Sequence, residues 1–94
     1  MQFTFTVGAN EPHRIDFSFD QFIGNLEIKV DGRTAITDFR TLSLSLTKRY
    51  ELVVGEKEKH HVVIEKKRKL FLAGVRPQQY RVFVDGQLVH TYEE

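Results

Sequence analysis

The stretch "IKVDGRTAIT" at residues 28–37 returns in the same form as "VFVDGQLVHT" at residues 82–91. Each places an Asp-Gly dipeptide, preceded by Val, between two runs rich in apolar and β-branched residues. A two-residue turn with positive φ at both positions matches the twist of paired strands, and Asp-Gly is one of the few dipeptides that tolerate it. Asp31-Gly32 and Asp85-Gly86 therefore each predict a β-hairpin, with both glycines in the left-handed region.

Outward from these turns the hydrophobic period is two. Phe3, Phe5 and Val7, then Ile15, Phe17 and Phe19, then Leu26, Ile28 and Val30, then Leu42, Leu44 and Leu46 alternate with polar residues. Tyr50, Leu52 and Val54, Val62 and Ile64, and Tyr80, Val82 and Val84 continue the pattern. Successive side chains of a strand point to opposite faces, so such segments bury one face and wet the other. No window shows three-to-four spacing over a helical length. The pattern predicts an all-β fold, an antiparallel β-sandwich of about eight short strands.

The repetition extends upstream of the turns. "FTFTVGANEPHRIDF" at 3–17 aligns with "YELVVGEKEKHHVVI" at 50–64, an offset of 47, with Val, Gly, Glu and His at matching positions. Apolar parity matches as well: Phe3, Phe5, Val7, Ile15 and Phe17 fall opposite Tyr50, Leu52, Val54, Val62 and Ile64. The Asp-Gly turns lie 54 apart, so the second half carries seven more residues, in or near "KKRKLFLAGVRPQQ" at 66–79. The reading is one domain over 1–94, made of duplicated halves of approximately 1–46 and 47–94.

Composition narrows the functional classes. A chain of 94 residues with 40% hydrophobic content fits one domain, which at this size buries roughly 60 to 70% of its unfolded surface. With no Cys, neither disulfides nor thiolate metal sites contribute, which suits a reducing, cytoplasmic setting. The opening "MQFTFTVGANEP" has no basic leader or continuous apolar run and reads as mature protein. No segment approaches the ~20 apolar residues of a membrane helix. A formal charge of +1 supplies no global field for phosphate backbones, so nucleic-acid binding is not expected outside a local patch.

The residues that define the halves also resemble a family. "HRIDFSFDQFIGNLEIKVDGRTAI" at 13–36 is similar to the His-x-Ile-x-Phe, Gly, Val-Asp-Gly succession of the Fas apoptotic inhibitory molecule family. "YELVVGEKEKHHVVIE" followed by "YRVFVDGQL" resembles the aromatic-x-x-Val-Gly, strand, strand-turn succession later in the same module. The resemblance spans nearly the whole chain. It implies a compact all-β sandwich without an active site, and a binding role of the kind that family has in anti-apoptotic signalling and protection against aggregation. This chain has a single module and no Trp.

Catalytic, cofactor and metal chemistry find no support in the residue pattern, and an enzyme is not expected. His60 and His61 are adjacent, so in a strand they point to opposite faces and do not grip one ion. His13 and His60 start matching strands on the inward parity, which suits a structural role at a turn. Ser43 and Ser45 alternate with leucines as the wet face of a strand, and Asp16, Glu27 and Asp38 carry no paired-carboxylate signature.

Two surfaces remain as candidates. The run Lys66, Lys67, Arg68 and Lys69 reads as a solvated basic loop, with weak anion or nucleic-acid binding as its functional alternative. On the outward parity, Thr6, Asp16 and Lys29 of the first half match Val53, Val63 and Phe83 of the second. An exposed group of two Val and one Phe marks either an interaction surface, for a protein partner or a second copy, or a face covered by the 66–79 connection through Leu70, Phe71 and Leu72. The function expected from the sequence is that of a noncatalytic protein-interaction module.

Overall fold

The computed structural model describes residues 1–20, 24–39, 47–68 and 78–93. Every regular element among them is a strand: β1 (Gln2–Val7), β2 (His13–Phe19), β3 (Asn25–Val30), β4 (Arg33–Phe39), β5 (Thr47–Val54), β6 (His60–Arg68), β7 (Gln78–Val84) and β8 (Gln87–Glu93). They form two four-stranded antiparallel sheets of sequential order, β1-β2-β3-β4 and β5-β6-β7-β8, the make-up of a small β-sandwich. Leu42, Leu44 and Leu46, expected in a strand, lie outside the described residues, as do Lys69 and the Leu70 to Leu72 part of the connection.

The chain gathers into two compact units, Met1–Ser43 with Val53–His60, and Leu44–Leu52 with His61–Glu94. These bounds differ from the sequence halves chiefly at Val53–His60, the end of β5 and the turn that follows it, which belongs with the first unit. In that unit Ile15, Leu26 and Ile28 are fully buried, and Phe17 is nearly so. Phe3 pairs with Phe17 across β1 and β2, and their rings stack with centroids 4.6 Å apart. In the second unit Val62, Ile64, Tyr80 and Val82 are fully buried. Removing each such side chain from water contributes about 1.5–3 kcal/mol, and their alternation along the strands fixes which face turns inward.

Both Asp-Gly turns adopt the conformation that the dipeptide predicts. Asp31 and Gly32 have φ of 52° and 82°, and Asp85 and Gly86 have 50° and 82°. Each aspartate also ties its hairpin to the neighbouring strand: Arg14 N–H donates to Asp31 Oδ1 (2.8 Å) and His61 N–H to Asp85 Oδ1 (2.9 Å). In return the Asp31 and Asp85 amides donate to the carbonyls of Arg14 and His61, both at 2.8 Å. A register shift follows each turn, leaving Ala35 without a partner residue on β3 and Val89 without one on β7.

The basic stretch departs from expectation. Lys66, Lys67 and Arg68 are the last residues of β6, in register with Tyr80, Gln79 and Gln78 of β7. They are not a loop. The ladder continues to Arg68, and the period of two carries Lys66 onto the face of Val62 and Ile64, where it is only 5% exposed. Lys67 is exposed.

Candidate interaction surface

The two sheets differ most on the faces opposite their buried residues. In the first sheet, Asp16 of β2 pairs with Lys29 of β3, and Lys29 with Thr34 of β4. The face is crossed by polar contacts: Thr4 Oγ1 donates to Asp16 Oδ1 (2.7 Å), Arg14 Nε to Asp16 Oδ2 (3.0 Å) and Thr34 Oγ1 to Glu27 Oε2 (2.8 Å). Lys29 Nζ lies 3.6 Å from Glu27 Oε1. Thr4 and Arg14 together hold the Asp16 carboxyl below its ordinary range, the Thr4 hydroxyl bond being the larger cause. A groove of about 300 Å³ runs along this face, lined by Thr4, Arg14, Asp16, Glu27 and Lys29 among others.

The equivalent row of the second sheet is apolar. Val63 of β6 pairs with Phe83 of β7, and Phe83 with Leu88 of β8. Val63 lies on the face opposite Val62 and Ile64 and yet is only 4% exposed. Phe83 is half-buried, and the row ends at Leu88, 53% exposed beside the 44% exposed Val89. Strand β8 is an edge of its sheet, and apart from the half-buried Tyr92 its residues are exposed. The sequence left open whether Val53, Val63 and Phe83 form an exposed surface or a covered face, and the three residues do not share one answer. Val53 is exposed at 66%, but Val63 is not. Leu88 and Val89 were missed. The two-residue turn sets Val84 against Gln87, hence Phe83 against Leu88, so the hairpin itself held the signal for Leu88.

A second arrangement, inside the first unit, joins the turns that follow β1 and β5. Glu11 Oε2 accepts the Glu56 N–H (2.7 Å) and its Oε1 the Lys57 N–H (2.9 Å). Reciprocally, the Glu58 carboxylate accepts the Ala9 and Asn10 amides, both at 2.8 Å. Each turn thus lends its glutamate to the other's backbone, satisfying amides that a tight turn leaves without ladder partners. The glutamates are backed by the histidines two residues on, with His13 Nε2 2.6 Å from Glu11 Oε2 and His60 Nε2 2.5 Å from Glu58 Oε2. His13 Nδ1 also meets Asp31 Oδ2 at 2.5 Å.

The electrostatics follow from these bonds. His13 first, and then the Lys57 and Glu56 amides, lower the Glu11 carboxyl to about 2. His60 first, and then the Asn10 and Ala9 amides, lower Glu58 to about 2. The Asp31 carboxyl is lowered chiefly by His13, and His13 is raised from its ordinary 6.5, chiefly by Asp31 and then by Glu11. The placement of His13 and His60 at turns is the structural role that their position implies. Among the described residues, no group of three or more His, Asp and Glu side chains is disposed to hold a metal ion. Nor is any helix there long and apolar enough to cross a membrane. No family model, curated protein or solved structure matches this chain.

Proposed function

We propose that this chain is a noncatalytic protein-interaction module whose binding surface is the outer face of its second sheet around Phe83 and Leu88. The observation that carries the reading is the apolar row Val63, Phe83 and Leu88 in register across three strands, where the first sheet has Asp16, Lys29 and Thr34. An apolar row running to an exposed edge costs solubility unless something covers it, and such faces mark interaction sites. On this reading the halves of approximately 1–46 and 47–94 are copies of one unit that diverged at the outer face, one keeping it polar and the other making it apolar. The similarity of the strand and turn motifs to the Fas apoptotic inhibitory molecule family, whose modules bind without catalysis, points the same way. Anion binding through residues 66–69 loses support, because Lys66 is buried within a strand.

Leu88→Lys tests the surface without touching the core, since an exposed position of this kind changes stability by about 0.5 kcal/mol or less. Immobilised parent protein is expected to retain a protein partner from native lysate at both low and moderate salt. Leu88→Lys should lose at least about tenfold of that retention with its melting temperature unchanged, the scale of one interface hot spot. If the partner is a second copy, light scattering should show the parent above monomer mass and the variant at it. Retention that vanishes at moderate salt would indicate phosphate-type contacts. That outcome, or capture indifferent to the substitution, would overturn the proposal.

A further inference from the structure

His13 is the point where three turns meet. Its Nε2 faces Glu11 Oε2 at 2.6 Å and its Nδ1 faces Asp31 Oδ2 at 2.5 Å. Both carboxyls are ionised at neutral pH and so have no proton to offer, and backbone amides favour that form, those of Glu56 and Lys57 on Glu11 and that of Arg14 on Asp31. Both ring nitrogens must then donate, which only the imidazolium can do, because a neutral imidazole would set a lone pair against one of the two oxygens. The other charged groups nearby are engaged elsewhere. Arg14 reaches Asp16, and Glu58 holds Ala9, Asn10 and His60. Glu11 and Asp31 are thus the charged groups on the ring.

We propose that Glu11, His13 and Asp31 form a base-sensitive clasp: while His13 carries a proton on each ring nitrogen it couples the Asp31-Gly32 hairpin to the turns after β1 and β5, and loss of one proton uncouples them. On proton loss one hydrogen bond becomes a lone-pair contact, and two carboxylates lose the cation between them. Because Glu11 holds the amides of Glu56 and Lys57, its release is felt in the turn after β5 as well as at Asp31. The device acts as pH rises, the opposite sense to a histidine buried in its neutral form.

The experiment is a titration of the ring and backbone nitrogens by NMR on the full chain. Two ring N–H groups are expected on His13 at pH 6, with a midpoint above 6.5, and the exchange protection of the Glu56 and Lys57 amides should fall at that same midpoint. Asp31→Asn is the informative variant. Asn tolerates the positive φ of a turn position and keeps an acceptor for the Arg14 amide, so the fold stands while one charge is removed. It should move the midpoint down toward 6.5. A single ring N–H at pH 6, a midpoint indifferent to Asp31→Asn, or amide protection that stays constant through the titration would each overturn the clasp.

Discussion

Replacing Gly8 or Gly55 by alanine is expected to destabilise the protein by about 3 kcal/mol or more, while the same change at Gly32 or Gly86 costs about 1–2 kcal/mol. All four glycines have positive φ, but the first pair sits at 104° and 102° and the second at 82° in both cases. The difference lies in what a Cβ would meet. At Gly8 it would overlap the Glu11 carbonyl oxygen, and at Gly55 that of Glu58, whereas at Gly32 and Gly86 nothing lies within 4 Å. The overlapped atoms are backbone, so relief requires moving the turn, and moving the turn displaces the glutamate it presents. In a domain of this size 1 kcal/mol shifts the melting temperature by roughly 4–8 °C. Thermal melts of the four variants should therefore fall into two groups. Equal losses at all four sites would contradict the tight-turn geometry.

The second large effect is expected in acid. Glu11 and Glu58 have carboxyls lowered from 4.5 to about 2, so the unfolded chain binds their protons first, and their contribution is complete above pH 4.5 and lost as pH falls toward about 2. His13 has the opposite sign. Raised from 6.5, it contributes fully below that value and is lost as pH rises through its folded midpoint. The two contributions are complete together only between pH 4.5 and 6.5. Melts of the parent from pH 7 to pH 2 should show a steep decline below 4.5. In the double variant Glu11→Gln, Glu58→Gln this decline should become much shallower, leaving chiefly the part due to Asp16 and Asp31, whose carboxyls are also lowered. A parent and variant with parallel acid limbs would show that the two glutamates hold nothing.

Much of this architecture was legible because it is local. The period of two names the strands, and Asp-Gly fixes its turn through backbone sterics alone, so Phe3, Ile15, Leu26, Tyr80 and their neighbours fall on the buried face as read. The reciprocal glutamates were visible only as an identity shared by the two upstream stretches. That Glu11 holds the amides at 56 and 57 depends on two turns meeting across 45 and 46 residues of chain, which no local rule encodes. Lys66 shows a conflict between rules. Charge density argued for a loop, parity placed the residue inward, and the ladder to β7 decided for parity. Val63 shows a limit of parity, which placed it on the outward face and left open whether that face is covered; the structure leaves it 4% exposed. Parity reports direction, and burial depends on what else arrives on that face.

The central structural claim, that each turn is held by the other's glutamate, is tested most directly by amide hydrogen exchange in the two single variants Glu11→Ala and Glu58→Ala. The account predicts a crossed pattern. Loss of Glu11 should deprotect the amides of Glu56 and Lys57, and loss of Glu58 those of Ala9 and Asn10, each with less effect on the mutated residue's own turn. A variant that deprotects only its own turn, or leaves all four amides as slow as in the parent, would contradict it.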